Sequence, residues 1–367
     1  MDQAPPRTPR KKGRGAIGNP EGRFEPRAVV PFDDGWGTIE TECESACAPI
    51  PTTVTPDHTR SVISSNDSPD IPFEISINPY KGCEHGCVYC FARQTHAYLG
   101  LSPGLDFETK IFSKPDAPGL LRRELARRGY RCRVLALGAN TDPYQPVERR
   151  LGITRGILEV LAEHNHPVSV VTKSDLVLRD LDLLAPLAQE RLASVHVSIT
   201  TLDLDLARRM EPRAPIPPRR LGAIRALAAA GVPVGVLASP MIPGLNDAEL
   251  DRILEAAAEA GATSAGTILV RLPHEVKDLF VEWIGEHYPT KAERVLRLVR
   301  EARGGKLYDS QWGERMRGQG EYAELLRKRF EHACRRFGLR TGDGRGADLD
   351  VTRFRVPGRP EQGSLFG

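Results

Sequence analysis

The sequence predicts an α/β protein built on a partial (β/α)6 barrel, with a helical extension at its C-terminal end. Three observations lead to this prediction. Six short β-type runs alternate with helical segments between residues 71 and 275, glycine or proline marks many of the junctions, and only helical patterns continue after residue 275. Strands that alternate with helices form a parallel sheet whose crossover helices pack on its outside.

The predicted elements follow one another along the chain. The predicted strands are residues 73–77, 134–138, 168–172, 195–200, 232–238 and 267–270. The predicted helices between them are residues 120–128, 156–164, 181–190, 219–230 and 248–260. Because ligands of such barrels bind on the loops that follow the C-terminal ends of the strands, the functional site is expected on these loops.

The remainder of the chain divides into three regions around the barrel at residues 71–275. Residues 1–70 are predicted to be a basic, disordered arm with an N-terminal extension. Residues 276–340 are predicted to be a helical C-terminal region. Residues 341–367 are rich in glycine, arginine and proline, and this composition predicts a disordered tail.

Several side chains are assigned an environment from their local pattern. Trp283 and Trp312 are expected to be packing anchors of the helical region. The amphipathic segment 321–337 is expected to cover the open side of the barrel with its apolar stripe. His164 and His166 flank a turn between a helix and a strand and are expected to be exposed.

Composition narrows the class of protein. The 367 residues are 40% hydrophobic, which is enough to bury one sizeable core, and the net charge is only +3. No apolar run approaches the ~20 residues needed to span a bilayer, so no membrane segment is predicted. The basic N-terminus has no apolar signal core behind it, and together these features predict a reducing, cytoplasmic location. The seven cysteines are an odd number, which disfavours a disulfide framework.

Three cysteines lie close together directly after the first predicted strand. Cys83, Cys87 and Cys90 are spaced C-x3-C-x2-C on a loop that contains two glycines. Thiolates this close converge on a metal centre more easily than they pair, because such a disulfide would be strained. A cubane iron–sulfur cluster needs a ligand on each iron, so three cysteines leave one iron open for chemistry. The alternative is a structural zinc site with His85 or His96 as the fourth ligand.

Polar side chains follow the next four predicted strands. The second strand is followed by residues 140–145, and the third by Lys173 and Ser174. The fourth strand ends near Ser198, and the fifth near Ser239. Because the C-terminal ends of parallel strands meet at one rim, these side chains predict a polar pocket mouth.

The cysteine spacing, with Tyr89 directly before Cys90, resembles the signature of the radical S-adenosylmethionine (SAM) superfamily. The resemblance implies a [4Fe-4S] cluster on Cys83, Cys87 and Cys90, with SAM chelating the open iron. In that superfamily the reduced cluster cleaves SAM to methionine and a 5′-deoxyadenosyl radical, which abstracts hydrogen from the substrate. The resemblance also implies a six-stranded partial barrel and a reductant such as flavodoxin or ferredoxin.

Within the superfamily, residues 70–275 resemble the spore photoproduct lyase group, often labelled DNA repair photolyase-like. An uncharacterised bacterial branch is more similar still, because it shares the Asn-Thr-Asp-Pro-Tyr-Gln-Pro run that begins at Asn140. The resemblance implies that Lys173 and Ser198 hold the SAM carboxylate and that Ala238 borders the bound SAM.

The candidate catalytic residues are Asn140, Asp142 and Tyr144, in the segment after the second strand. Spore photoproduct lyases carry a cysteine in this region that returns a hydrogen atom to the product radical. This sequence has Asn140 there, and an amide does not donate hydrogen as a thiol does. The resemblance therefore does not imply repair of the spore photoproduct itself.

The predicted function is a lyase-like radical SAM enzyme that acts on a DNA lesion or another nucleic acid. The alternative is a non-enzymatic zinc or iron–sulfur protein that binds nucleic acid. The basic arm is a candidate for electrostatic attraction to DNA, while Cys43 and Cys47 are expected to be incidental thiols. Near the end of the chain, Gln362, Leu365 and Phe366 resemble the peptide that docks on the bacterial sliding clamp, which predicts recruitment to DNA.

Overall fold

Eleven strands occur in the part of the chain that the computed structural model describes, which is residues 13–24, 50–341 and 349–358. They are β1 (Thr53–Pro56), β2 (Ser64–Ser65), β3 (Ile75–Ile77), β4 (Tyr80–Lys81), β5 (Lys110–Ser113), β6 (Leu135–Leu137), β7 (Val168–Thr172), β8 (Ala193–Ser198), β9 (Val234–Met241), β10 (Ser264–Leu269) and β11 (Arg340–Thr341). The main sheet has the order β11-β10-β9-β8-β7-β6-β3-β2. Its six central strands are parallel and sequential, and its two ends do not pair with each other. The predicted partial barrel is therefore confirmed.

Eleven α-helices accompany these strands in the described residues. They are α1 (Leu105–Thr109), α2 (Ala117–Leu125), α3 (Glu148–Leu151), α4 (Ile153–Glu163), α5 (Leu181–Gln189), α6 (Leu204–Met210), α7 (Pro217–Ala229), α8 (Leu250–Glu259), α9 (Val276–His287), α10 (Pro289–Glu301) and α11 (Gly320–Arg336). Each of the five predicted crossover helices is present, with bounds that differ by only a few residues. None of the described helices is long and apolar enough to cross a membrane.

The two faces of the main sheet carry different side chains. Val170 and Val197 are fully buried on the face that packs against the crossover helices, in one continuous hydrophobic core. Side chains alternate along a strand, and the opposite face carries small and polar residues. There Ser194 donates to the Ser169 hydroxyl at 3.3 Å, and Ser169 Oγ lies 3.5 Å from His196 Nδ1. Burial lowers the pKa of His196 to about 4, so this imidazole is uncharged near neutral pH.

A smaller sheet positions the cysteine loop beside the barrel. In it, β1 is parallel to β5, and β5 is antiparallel to β4. Strand β4 begins soon after β3 ends and finishes at Lys81, directly before the loop. The cysteine motif thus lies just beyond the C-terminal end of the first barrel strand, where it was predicted.

The amphipathic stripe of α11 packs on the last part of the barrel. Leu326, Phe330, Ala333 and Cys334 join the main core, and α11 contacts α8 and β10. The stripe was expected to cover the open side of the barrel, but the structure places it on the outer helical layer and the edge of the last strand. In this position the apolar residues of α11 are buried against two hydrophobic surfaces, those of α8 and β10.

A different segment, residues 302–318, links the two ends of the six-stranded barrel. Arg303 is buried and donates to backbone carbonyls at the end of β10, at 2.8 and 3.1 Å. Arg315 pairs with Asp70, which precedes β3, at 2.7 Å, and the amide of Gly313 donates to the same carboxylate at 2.7 Å. The segment therefore connects the end of β10, the last barrel strand, to the residues that precede β3, the first barrel strand.

The structure confirms one of the predicted environments and corrects three. Trp283 is fully buried, as predicted, whereas Trp312 is 58% exposed because it lies on the linking segment. His164 and His166 were predicted to be exposed, but both are buried. Phe354, from beyond the last helix, packs against both imidazole rings and closes them off from solvent.

Parts of both chain ends make defined contacts where disorder was predicted. Residues 13–24 pack on the cysteine loop, as described below. In residues 349–358, the amides of Asp350 and Arg355 donate to backbone carbonyls of the barrel, each at 2.9 Å. Cys43, Cys47 and the clamp-like residues at positions 362, 365 and 366 lie outside the described residues.

Candidate functional site

The three motif cysteines lie on a tight loop whose shape depends on two glycines. Gly82 has a φ of +81° and Gly86 a φ of +68°, which residues with a side chain rarely adopt. A Cβ atom on Gly86 would lie 2.7 Å from a carboxylate oxygen of Glu108. The Cys83 amide donates to the Phe107 carbonyl at 2.9 Å, which fixes the start of the loop.

The three thiols of this loop are free and shielded from solvent. Cys83 and Cys87 are buried, and Cys90 is half-buried. Burial raises the pKa of each thiol, and binding to a metal centre is what stabilises a thiolate in such surroundings. Across the described ranges, no group of three or more Cys, His, Asp or Glu side chains is arranged to hold a single metal ion. A cubane cluster does not require the three cysteines to converge on a single ion, because each cysteine binds a different iron.

The two histidines that might have completed a zinc site have other partners. His85 Nδ1 lies 3.3 Å from Asp142 Oδ2. His96 Nε2 lies 3.0 Å from the carbonyl oxygen of Lys110, and its ring packs edge-on against Phe107 at 5.1 Å. These contacts involve one nitrogen of each ring and fix the surroundings of the loop, whereas the buried His96 Nδ1 has no hydrogen-bond partner among the described residues.

A buried arginine holds the loop from within. Arg93 is fully buried, and its guanidinium donates to the carbonyls of Cys87 at 2.8 Å and Gly86 at 3.0 Å. It also pairs with the buried carboxylate of Glu108 at 2.5 Å. A lysine could not make this planar set of contacts, because its single ammonium lacks the forked geometry.

Residues 13–24 pack against the outside of the same loop. The amides of Gly15 and Ala16 donate to the two oxygens of Glu108 at 2.9 and 2.8 Å. Gly15 approaches so closely that a Cβ atom would lie 1.8 Å from the Gly86 carbonyl oxygen. This glycine-rich segment, predicted as part of a disordered arm, is therefore an integral support of the cysteine loop.

The segment at residues 140–146 supports the cysteine loop from the barrel side. The Gln145 side chain accepts from the Glu84 amide at 2.9 Å and donates to the Gly82 carbonyl at 3.1 Å. Sequence reasoning passed over Gln145 as a site residue. The feature of the sequence that could have pointed to Gln145 is its position in the run of residues that begins at Asn140.

Asp142, a predicted catalytic residue, is buried in the scaffold of the site. Its oxygens accept from the Thr172 hydroxyl and from the Lys173 amide, both at 2.7 Å. Burial acts to raise its pKa, but His85 and these hydrogen bonds lower the pKa to about 2. Asp142 is thus an anion that ties the end of β7 to the cysteine loop, which is a positioning role.

The other two predicted catalytic residues lie in contrasting places. Tyr144 is fully buried, and its hydroxyl donates to Asp180 at 3.1 Å. Its side chain therefore packs in the core and does not reach the rim. Asn140 is exposed on the rim, where its backbone amide donates to the side-chain oxygen of Asn78 at 2.8 Å. Of the three candidates, Asn140 is the one that lies open to a substrate.

The two residues predicted to hold the SAM carboxylate are in contact. Lys173, directly after β7, donates through Nζ to the Ser198 hydroxyl at the end of β8, at 2.8 Å. The same ammonium lies 5.8 Å from the ring centroid of Tyr89, which precedes Cys90. The fold therefore brings the predicted binding pair next to the cysteine loop.

A buried carboxylate that sequence reasoning missed organises this pair. Glu211 accepts from Tyr89 and Arg220 and from the Thr200 hydroxyl at 2.7 Å, and it lies 3.8 Å from Lys173 Nζ. Burial acts to raise its pKa, but Arg220 and Lys173 lower the pKa to about 2. Because Arg220 balances the charge of Glu211, the ammonium of Lys173 remains for an anionic ligand.

The adjoining strand offers further groups to a ligand. Ala238 is buried in β9, and its carbonyl accepts from Thr267 at 2.9 Å. The next carbonyl, that of Ser239, accepts from Ser198 at 3.3 Å and from Thr200 at 3.1 Å. The buried Ser239 hydroxyl has no hydrogen-bond partner among the described residues. Such an atom is costly to leave unpaired, and a ligand at this rim would pair it.

Comparisons with known proteins agree with this geometry. The model of the radical SAM superfamily matches residues 77–257. An uncharacterised protein of Mycobacterium tuberculosis is 36% identical over 339 residues, which is 92% of this chain and 90% of that protein.

Two solved structures have a similar fold. A point mutant of spore photoproduct lyase superimposes with a TM-score of 0.57 at 18% identity, over 87% of this chain and 88% of that chain. Spore photoproduct lyase complexed with dinucleoside spore photoproduct gives a TM-score of 0.57 at 18% identity, over 78% and 80%. With its cysteine triad at the rim of a partial barrel, and with the family model matching that barrel, this chain belongs to the radical SAM superfamily.

Proposed function

We propose that this radical SAM enzyme carries a [4Fe-4S] cluster on Cys83, Cys87 and Cys90 and abstracts hydrogen from a nucleic-acid substrate such as a DNA lesion. The observation that carries the proposal is the contact of Lys173 with Ser198 beside the cysteine loop. When bound, the reduced cluster and SAM supply the radical that abstracts hydrogen from the substrate.

The protein contributes binding, orientation and charge. The Lys173 ammonium and the Ser198 hydroxyl bind the carboxylate of SAM, because a charge-assisted pair of donors suits a carboxylate. Glu211 keeps the Lys173 ammonium directed at the rim, while Arg220 balances the charge of Glu211 from the buried side. Truncation of the Glu211 side chain would leave both Lys173 and Arg220 without this carboxylate.

The cysteine loop is shielded from solvent on its far side. Arg93 and Glu108 fill the space behind it, and residues 13–24 lie over Glu108. Exclusion of water and oxygen from this side protects a reduced iron–sulfur centre. The N-terminal segment therefore has a protective role in this proposal.

The nucleic-acid part of the proposal is supported by the likeness in fold to spore photoproduct lyase, one structure of which holds a dinucleoside photoproduct. The amide of Asn140 replaces a hydrogen-donating thiol at the exposed rim, so we propose a different lesion or a different fate of the product radical. Recruitment by a sliding clamp through Gln362, Leu365 and Phe366, and electron supply by flavodoxin or ferredoxin, stay predictions.

Replacement of Lys173 by methionine should weaken SAM binding while leaving the cluster assembled. A charged hydrogen bond contributes about 1.5–3 kcal/mol, so the Kd for SAM should rise roughly 10- to 150-fold. Equilibrium binding of SAM to the anaerobically reconstituted protein measures this, with iron content determined on the same sample. Lys277→Met, which removes a charge from the exposed surface of α9, is the matched control. Equal SAM affinity in the two variants would remove Lys173 from the binding site.

Gly15→Ala should make the cluster more sensitive to oxygen. The added methyl group meets the Gly86 carbonyl, so residues 13–24 must move off the cysteine loop or distort it, at a cost of about 1–3 kcal/mol. We expect bleaching of the visible cluster absorbance in air to be several-fold faster than in wild type. In the control Gly18→Ala the nearest atom to the new Cβ is 3.9 Å away, and bleaching should be unchanged. Identical bleaching of both variants would argue against the protective role of the segment.

A further inference from the structure

Arg271 is a half-buried cation without a carboxylate partner among the described residues. Its Nη1 lies 3.0 Å from the sulfur of Met316, and its guanidinium lies 5.0 Å from the ring centroid of Phe91. Its buried Nε has no hydrogen-bond partner. A guanidinium buried in this way is costly unless a bound anion balances its charge.

The surroundings of Arg271 do not supply that balance. Burial lowers its pKa, and the nearby Arg315 adds to this effect, while Tyr308 and Asp70 oppose it. Asp70 is already paired with Arg315 at 2.7 Å. Arg303 is also close; it donates to backbone carbonyls, and its buried Nε has no hydrogen-bond partner among the described residues. Three arginines, Arg271, Arg303 and Arg315, therefore face two nearby carboxylates, Asp70 and Asp309, which leaves an excess of positive charge around Arg271.

The position of Arg271 places this charge on the functional rim. The residue follows the C-terminal end of β10, and Phe91, which its guanidinium covers, directly follows Cys90. Strand β9 separates β10 from β8, and neighbouring strands are about 4.8 Å apart, so Ser198 and Arg271 belong to strands roughly 10 Å apart. The single carboxylate of SAM, held at Lys173, cannot also neutralise Arg271.

We propose that Arg271 binds a phosphodiester group of a single-stranded nucleic-acid substrate; this rests on the proposed function and deepens it. A guanidinium recognises a phosphate through two parallel hydrogen bonds. Residues 302–318, which touch Arg271 through Met316, also expose Trp312 by 58%. A cation together with an exposed aromatic ring is the combination that binds single strands, and here one segment carries the ring and touches the cation.

The test is the salt dependence of binding of a short fluorescein-labelled oligothymidylate to the full-length, reconstituted protein, followed by fluorescence anisotropy. Arg271→Met should raise the Kd roughly tenfold or more, as expected for a lost charged hydrogen bond. It should also reduce the slope of log K against log salt by about 0.7, the value for one phosphate of a single strand. Arg271→Lys should keep the slope and lose part of the affinity.

The control Arg297→Met removes the same charge from the exposed face of α10, and it should leave both affinity and slope close to wild type. The proposal is overturned if Arg271→Met and Arg297→Met behave alike, if Arg271→Lys loses the slope, or if wild type does not bind the oligonucleotide. It is also overturned if Arg271→Met weakens SAM binding instead. Reductive cleavage of SAM without oligonucleotide is measured on the same samples, and failure there would contradict the proposed function separately.

Discussion

Replacing any one of Cys83, Cys87 and Cys90 by alanine should abolish the iron–sulfur cluster and all reductive cleavage of SAM. Loss of one thiolate leaves two irons without a protein ligand, on a loop that has no other free thiol to replace it. We expect the reconstituted variants to be colourless and to retain background iron. Iron and sulfide analysis, with the visible spectrum of each variant, measures this result.

The remaining cysteines provide the controls for this experiment. Cys132→Ala and Cys334→Ala should keep full iron content, because Cys334 lies on the buried face of α11 and neither thiol lies on the motif loop. Cys43→Ala and Cys47→Ala should behave in the same way. A variant at position 43 or 47 that lost the same cluster would contradict the assignment of three cysteines.

Glu211→Ala should destabilise the protein more than any exposed substitution near the site. The change leaves the buried guanidinium of Arg220 without its counter-ion, and breaking a buried pair in this way costs about 3–5 kcal/mol. Denaturant unfolding under anaerobic conditions measures the free energy of unfolding. The control Asp205→Ala removes the exposed partner of Arg209 and should cost about 1 kcal/mol or less. Equal losses in the two variants would refute the organising role of Glu211.

The same carboxylate should shape the stability of the protein in acid. The folded-state pKa of Glu211 is lowered to about 2 from an ordinary value of 4.5. Its contribution to stability is therefore present above pH 4.5 and is lost as the pH falls towards 2. Glu211→Gln should lack this part of the acid dependence, and parallel acid-unfolding curves of the variant and wild type would contradict the assignment.

The barrel could be predicted from the sequence because each strand is a local apolar run with its own boundaries. The run at 168–172 has the same bounds as β7 (Val168–Thr172). The first strand is shorter than predicted, because pairing with β6 begins at Ile75 and not at residue 73. Periodicity predicts where a strand can form, whereas the neighbouring strand decides where it begins.

The supports of the site could not be predicted in the same way. Arg93 and Glu211 lie in segments that carry no motif, and a single sequence gives no sign that each is buried against a residue of opposite charge. The role of Cys83, Cys87 and Cys90, in contrast, could be predicted from their spacing in the sequence. The role of Gly15 depends on a contact with Gly86 that only the folded chain creates.

The contacts of the N-terminal segment have a consequence for biosynthesis. The amide of Arg23 donates to Glu275 at 3.3 Å, and the side chains of these residues pair at 2.8 Å, across a separation of 252 positions. Every barrel strand has therefore been made before this contact can form, whereas the contacts of Gly15 and Ala16 with Glu108 span only 93 and 92 positions. Contacts between distant positions form late and slowly. We expect the segment to settle on the cysteine loop first and to be tied to Glu275 only after the barrel is complete.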